Sequence, residues 1–147
     1  SPSMGARGPS SDDLGGSMAS RGLKLSKAIF DALFEKYTSA VTSTDVETIV
    51  SIYAADAKIE IPVGGPVHDG FDAIHAFYRD NELAESLEVA GPACVAGLEA
   101  AVPLIARVRQ EGRLLELDVI DVAEIDEEGR VVRMRAFFDL EGARVLE

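Results

Sequence analysis

The sequence has little of what most cofactor and metal sites require. It contains one cysteine, Cys94, and two histidines, His68 and His75. A single cysteine cannot form an intramolecular disulfide, so nothing indicates an oxidising compartment, and we expect a cytoplasmic protein. The histidines lack a nearby cluster of other ligands, and no phosphate-cradling glycine motif is present. The sequence therefore predicts no metal site and no cofactor, and both histidines are expected at the surface.

Basic residues are also scarce. Fourteen Lys and Arg stand against twenty-six Asp and Glu, which gives a formal net charge of -12. Such a chain repels phosphate backbones and anionic headgroups, so nucleic acid and membrane partners are not expected. No apolar run approaches the roughly 20 residues of a membrane-spanning helix.

The length and apolar content predict a single domain. The chain has 147 residues, and 47% of them are hydrophobic. Residues 1–21 are rich in Ser, Gly and Pro without periodicity, which predicts a disordered tail, and residues 22–147 are expected to form the domain. The Ser-Pro-Ser before Met4 resembles residues left by an expression vector.

Three helices are predicted in the first half of the chain. Apolar residues recur at three- and four-residue spacing in each, the pattern of one buried helix face. Thr44 and Glu47 form a capping box for the second helix, and Asp69 is expected to cap the third. The three predicted stripes are Ile29, Phe30, Leu33, Phe34, Tyr37 and Val41; Val46, Ile49, Val50 and Tyr53; and Phe71, Ile74, Phe77 and Tyr78.

The remaining chain is predicted to form strands. Residues 57–61 alternate as a strand covered on one face, and after about residue 87 the helical period disappears. Glu111-Gly112 and Glu127-Glu128-Gly129 are typical of hairpin turns. Helices followed by an antiparallel meander predict an α+β domain, with the helices on one face of a curved sheet that closes as a cone.

Asp121 is the most informative polar residue. Strict alternation from Leu114 to Ile125 places it on the same strand face as Leu117 and Val119. Burying an ionised carboxylate without a partner costs several kcal/mol, so a carboxyl in this position is expected to keep its proton and donate a hydrogen bond. The alternative is a structural Asp that a backbone amide or an arginine satisfies.

All three tyrosines of the chain, Tyr37, Tyr53 and Tyr78, lie on predicted inward faces. A single buried tyrosine is usually a core residue whose hydroxyl has one partner. Three of them can instead form a hydrogen-bonded set, and such a set needs an endpoint that Asp121 could provide.

The chain resembles the bacterial Δ5-3-ketosteroid isomerases and, more widely, the ketosteroid isomerase-like (SnoaL-like, nuclear transport factor 2-like) family. The resemblance covers about residues 23–140, and the Asp121 strand is its most specific part. The matching residues are Leu117-Asp118-Val119-Ile120-Asp121-Val122, Asp126-Glu127, Gly129-Arg130, Met134, Ala136, Phe137, Tyr37, Tyr53-Ala54-Ala55-Asp56-Ala57, Pro62, Gly64 and Ala76-Phe77-Tyr78.

This resemblance implies a cone-shaped fold, a homodimer and a deep apolar pocket for a small molecule. It also implies that Tyr37 and a protonated Asp121 form an oxyanion hole, the arrangement for which ketosteroid isomerase is the standard example. By matching position, Tyr53 and Tyr78 support Tyr37 through hydroxyl hydrogen bonds. The expected substrate-contacting side chains are Tyr53, Ile61, Tyr78, Leu117, Val119 and Phe137.

One departure from the family pattern limits what can be carried over. The isomerases place a catalytic aspartate directly before the proline that ends the first strand, and Ile61 precedes Pro62 here. Strand alternation turns the adjacent Glu60 to the other face, and only a bulge could bring it back. Glu60 and Glu99 are the two candidates for a replacement base.

A pocket with oxygen-directed donors and no base suits a reaction that needs carbonyl polarisation and a folded substrate. We therefore predict a cofactor-independent cyclase of polyketide or antibiotic biosynthesis, and a Diels-Alder type cycloaddition asks least of the protein. The alternatives are a steroid isomerase with a relocated base and a non-catalytic carrier of a hydrophobic ligand.

Overall fold

The computed structural model describes the backbone of residues 11–147 and the side chains from residue 26 onward. Within this part of the chain there are three α-helices: α1 (Ser11–Thr42), α2 (Val46–Val50) and α3 (Phe71–Asp80). The strands are β1 (Tyr53–Glu60), β2 (Val67–Asp69), β3 (Ser86–Val89), β4 (Cys94–Ala96), β5 (Glu99–Gln110), β6 (Arg113–Ile125), β7 (Val131–Phe137) and β8 (Arg144–Val145). A short 3₁₀ turn covers Leu140–Gly142.

The first helix begins earlier than the composition predicts. Its backbone is helical from Ser11, inside the segment expected to be a disordered tail, while residues 1–10 lie outside the described residues. Helix formation is cooperative, so extending a helix that tertiary packing has already nucleated costs little per residue. This explains a helical backbone where the Ser- and Gly-rich composition predicts none.

The helix caps differ from the predicted ones. Asp45 caps α2, with its side chain accepting a hydrogen bond from the backbone N–H of Thr48, so the predicted capping box at Thr44 is wrong by one residue. Thr44 instead takes the left-handed conformation, with φ of 57°, that ends α1 and turns the chain. Gly70 precedes α3 without a side-chain cap, so the prediction of an Asp69 cap is also wrong.

The predicted apolar stripes are confirmed at most positions. Phe30, Phe34 and Ile74 are almost fully buried. Ile29 and Phe71, by contrast, are each 39% exposed and lie at the edges of their helices' inward faces. A helix buries a stripe rather than half of its surface, which periodicity alone does not delimit.

The first strand starts at Tyr53, and the prediction that Tyr53 ends a helical stripe is wrong. The helix α2 stops at Val50, and Tyr53 pairs with Val131 of β7. The backbone N–H of Val131 also donates to the carbonyl of Ile52 at 2.8 Å. Pairing with a distant strand therefore overrides the local helical period.

The described strands form one eight-stranded sheet in the order β2-β1-β7-β6-β5-β3, with β4 beside β5 and β8 beside β6. The β1–β7 pair is parallel, and the other pairs are antiparallel. The turns at Glu111-Gly112 and at Gly129 are confirmed: φ is 53° at Glu111, 78° at Gly112 and 85° at Gly129.

The predicted α+β architecture is confirmed. The inward residues of the long β5–β6 hairpin and of β7 pack with the inward stripes of the helices into one core. A layer of helices on one side of a mostly antiparallel sheet leaves space between them toward the turn end of the β5–β6 hairpin. Among residues 11–147, no helix has the length and apolarity needed to cross a membrane.

Candidate functional site

A cavity of about 290 Å³ lies between the inner sheet face and the helices. The exposed residues Arg109, Gln110 and Leu140 mark its opening, and Tyr37 and Asp121 are its buried polar residues. The other lining residues are apolar: Ile61, Leu83, Ala84, Leu87, Leu104, Ala106, Val108, Leu117, Val119, Ala136 and Phe138. A mostly apolar cavity with a few convergent polar groups is typical of a small-molecule site.

The strand β6 supplies one wall, as its alternation predicts. Leu117, Val119 and Asp121 all line the cavity, and the contact of Leu117 and Val119 with a substrate stays a prediction. Their partners on β5 are Ala106, Leu104 and Val102, of which Leu104 and Ala106 also line the cavity. The apolar residues of β5 alternate with a period of two, and this pattern is sufficient to predict that Leu104 and Ala106 point inward.

The carboxyl of Asp121 is buried without a partner. The side chain is 4% exposed, and no other described residue forms a hydrogen bond with it, so a structural carboxyl satisfied by an amide or an arginine is not observed. Burial alone raises the pKa of Asp121 to about 7. The carboxyl is therefore about half protonated at neutral pH and largely protonated below it, and the protonated form can donate to a ligand oxygen.

The three tyrosine hydroxyls form a chain. The hydroxyl of Tyr78 lies 3.0 Å from that of Tyr37 and 2.6 Å from that of Tyr53. Desolvation raises the pKa of all three, and the charge of Asp121 raises the pKa of Tyr37 further. Each hydroxyl has one proton to donate, so a chain running from Tyr53 through Tyr78 leaves the proton of Tyr37 free for a ligand.

The tyrosine chain differs from the prediction in one respect. It does not end on Asp121, because no hydrogen bond joins the two groups; both reach the cavity independently. Tyr53 and Tyr78 are buried and are not among the residues that line the cavity, so their contact with a substrate stays a prediction. Their positions suit the supporting role that the sequence resemblance implied.

Ile61 lines the cavity as predicted, whereas Phe137 does not. Phe137 is 39% exposed on the outer sheet face, where the guanidinium of Arg135 lies 5.1 Å from the centre of its ring. Alternation along β7 turns Ala136 inward instead, and the strand ends before Phe138, which also lines the cavity. Successive residues of a strand point to opposite faces, so Ala136 and Phe137 cannot both face the cavity.

Neither candidate replacement base reaches the cavity. Glu60 lies on the outer face, where Arg135 and the backbone N–H of Gly64 bind its carboxylate. Glu99 is exposed at the start of β5, on the face opposite the inward-pointing Ala100 and Val102. No bulge in β1 brings Glu60 inward, since Lys58, Ile59 and Glu60 pair with β7 in regular register.

The histidines serve local packing. His75 forms an ion pair with Glu47 at 2.8 Å, and the ring centre of His68 lies 4.7 Å from that of Phe77. Within the described part of the chain, no three His, Cys, Asp or Glu side chains group as metal ligands.

Comparison with known proteins agrees with this geometry. Residues 34–134 match the family model described as a SnoaL-like domain. A steroid Δ-isomerase from Nocardioides simplex is 32% identical over 108 residues, which is 73% of this chain and 87% of the relative. The solved structure of SalBIII, described as an epoxide hydrolase/cyclase-like enzyme in pyran ring formation in polyether salinomycin, has a TM-score of 0.70 at 27% identity. That match covers 78% of this chain and 94% of SalBIII.

The buried carboxyl predicts a distinctive pH dependence of stability. The pKa of Asp121 is about 7 in the folded chain and about 3.9 in an unfolded one. Between these two pH values the folded state binds one more proton than the unfolded state. The stabilisation that comes from this proton is fully present below about pH 4 and is lost as the pH rises through about 7. We expect the free energy of unfolding to fall by roughly 2 to 3 kcal/mol when the pH is raised from about 5 to about 7.5, as measured by urea unfolding.

The Asp121→Asn variant should lose this slope, because its side chain does not titrate. Asp118→Asn is the matched control, since Asp118 is an exposed carboxylate on the opposite face of the same strand, where Arg144 lowers its pKa. An Asp121→Asn protein with the same slope as the wild type would show that Asp121 is ionised throughout this range.

Proposed function

The chain belongs to the SnoaL-like domain family, and from that membership we propose that it is a cofactor-independent cyclase for an apolar polyketide-type substrate. Its relatives are a steroid isomerase and a cyclase-like enzyme, so the family supports small-molecule isomerase or cyclase activity in general. The single observation that favours cyclisation is the pairing of Tyr37 and Asp121 as donors with Ile61 at the position of the isomerase base.

The two donors polarise one oxygen of the substrate. Tyr37 and a protonated Asp121 are buried, and both line the cavity. Hydrogen bonds stabilise a developing negative charge more strongly in such a site than they would in water. The apolar walls hold a flexible chain in a folded conformation, which lowers the entropic cost of bringing its reacting ends together. A Diels-Alder type cycloaddition of a polyene and an enone uses only these two contributions.

The steroid isomerase alternative requires a base at the cavity, and Glu60 and Glu99 lie outside it. A carrier of hydrophobic ligands requires only the apolar cavity, and formation of any product would exclude it. A Δ5-3-ketosteroid separates the isomerase from the other two readings, because its isomerisation needs proton abstraction, which neither the proposed cyclase site nor a carrier supplies.

We also propose that the chain forms a homodimer through the outer sheet face. The residues there form a contiguous apolar patch across β5, β6 and β7, because Pro103 pairs with Ile120 and Ile120 pairs with Phe137. Ile120 is 42% exposed and Phe137 39% exposed. A second copy related by a two-fold axis would cover both copies of the patch at once.

The first prediction concerns the missing base. We expect the wild-type protein to bind a Δ5-3-ketosteroid without isomerising it, and Ile61→Asp to gain isomerase activity, followed by the ultraviolet absorbance of the conjugated enone. Aspartate at position 61 would place a carboxylate at the cavity wall beside the two donors. Rapid turnover by the wild type would contradict the proposal, because it would require a base elsewhere.

The second prediction concerns the donors. In the Ile61→Asp background, Tyr37→Phe and Asp121→Asn should each lower the isomerisation rate by about 10²- to 10³-fold, the usual effect of removing one oxyanion donor. Asp118→Asn should leave the rate unchanged, since Asp118 lies on the opposite face. Full activity in both donor variants would mean that the cavity acts through its shape alone.

The third prediction concerns assembly. Ile120→Lys should convert the dimer to a monomer in analytical ultracentrifugation, because it places a charge at the centre of the apolar patch. Val145→Lys is the control: Val145 is 52% exposed on β8, outside the patch. A wild-type protein that is monomeric at tens of micromolar would refute this interface.

A further inference from the structure

Glu60 holds the short loop that carries Ile61 into the cavity. It is the last residue of β1, and its side chain is 21% exposed on the outer sheet face. One carboxylate oxygen accepts a hydrogen bond from the backbone N–H of Gly64 at 3.0 Å, and the other accepts from Nε of Arg135 at 3.2 Å. The carboxylate therefore connects the loop 61–65 to the neighbouring strand β7.

The loop has few other attachments. Val63 donates its N–H to the carbonyl of Ala136 at 2.8 Å, and Gly65 donates to the carbonyl of Pro62 at 3.0 Å. Gly64 has φ of 98°, a conformation that favours glycine, and space is open beside its Cα. Two bonds thus fix the loop to the sheet, one from Val63 to the β7 backbone and one from Gly64 to the side chain of Glu60, and only the second can be removed by changing a side chain. Ile61 at the base of the loop lines the cavity.

We infer that Glu60 is a positioning residue: by fixing the loop 61–65 it sets where the Ile61 wall stands relative to the donors Tyr37 and Asp121. This inference rests on the proposed function, in which the cavity folds a substrate against that wall. Glu60 is adjacent to Ile61 in the sequence and was therefore a candidate catalytic base. In this inference it acts instead from the outer sheet face, by positioning the loop.

The charge state of Glu60 suits a permanent attachment. The hydrogen bond from Gly64 and then the bond from Arg135 lower the pKa of this carboxyl, so Glu60 is ionised near neutral pH, where Asp121 titrates. Arg135 is held in turn by its stacking on Phe137. Glu60, Arg135 and Phe137 thus form a continuous series of contacts along the outer sheet face that begins at the loop.

A purely structural ion pair predicts a different result. If the half-buried pair of Glu60 and Arg135 only stabilised the fold, removing Glu60 would change thermal unfolding and leave binding in the cavity of the folded protein as in the wild type. A positioning role predicts instead a local effect: faster opening of the loop and weaker binding in the cavity, with the fold intact. The two readings are separated by measurements on the loop and on the cavity in the same variants.

The experiment compares Glu60→Ala, Glu60→Gln and the control Asp31→Ala, which removes an exposed ion pair with Lys27 on α1. Hydrogen exchange of residues 61–65 reports on the loop, and the dissociation constant of 2-naphthol, followed by its fluorescence, reports on the cavity. We expect Glu60→Ala to raise both the exchange rate and the dissociation constant by roughly 2- to 12-fold, the range for one lost hydrogen bond.

Glu60→Gln keeps an acceptor for Gly64 but loses the acceptor for Arg135, because its amide nitrogen can only donate. We therefore expect both values to fall between those of the wild type and of Glu60→Ala, whereas Asp31→Ala should change neither. Wild-type exchange and binding in Glu60→Ala would overturn the inference, as would equal losses in the Gln and Ala variants. If the wild type binds no 2-naphthol, the proposed function fails, while the exchange comparison still decides whether Glu60 fixes the loop.

Discussion

Everything about this site follows from one constraint, the burial of a carboxyl group among hydrocarbon side chains. Asp121 is 4% exposed, and no other described residue forms a hydrogen bond with it. A charge in that position would cost several kcal/mol, so the group stays neutral over much of the range in which other carboxyls ionise. A donor of this kind cannot exist at the surface, which is why the domain needs an apolar interior space.

The two donors come from opposite ends of the chain and from different kinds of structure. Tyr37 stands on α1, and its hydroxyl is oriented by Tyr78 of α3 and Tyr53 of β1. Asp121 stands on the long strand β6, whose neighbours β5 and β7 hold its backbone on both sides. The tyrosine is therefore positioned by a hydrogen-bonded chain of side chains, and the aspartic acid by the sheet itself.

Sequence patterns predicted the parts of this arrangement that depend on local periodicity. The alternation around Asp121, the inward tyrosines and the hairpin turns were all readable, because each depends on residues close together in the chain. The start of β1, the outward direction of Phe137 and the absence of contact between Tyr37 and Asp121 depend on pairing between distant strands. The hydrogen bond that Arg135 donates to Glu60 joins residues 75 apart in the sequence, and no local sequence pattern predicts it.

The parallel pairing of β1 with β7 has a consequence for the order in which the cavity forms during folding. The hairpin of β5 and β6 forms from neighbouring segments and closes a short loop, whereas β1 must find a partner near the far end of the chain. Non-local pairings form late in folding because they carry a larger loop-closure entropy. We therefore expect a partly folded chain to form the β5–β6 hairpin before β1 joins β7, and the cavity wall at Ile61, which follows β1, to close late in folding.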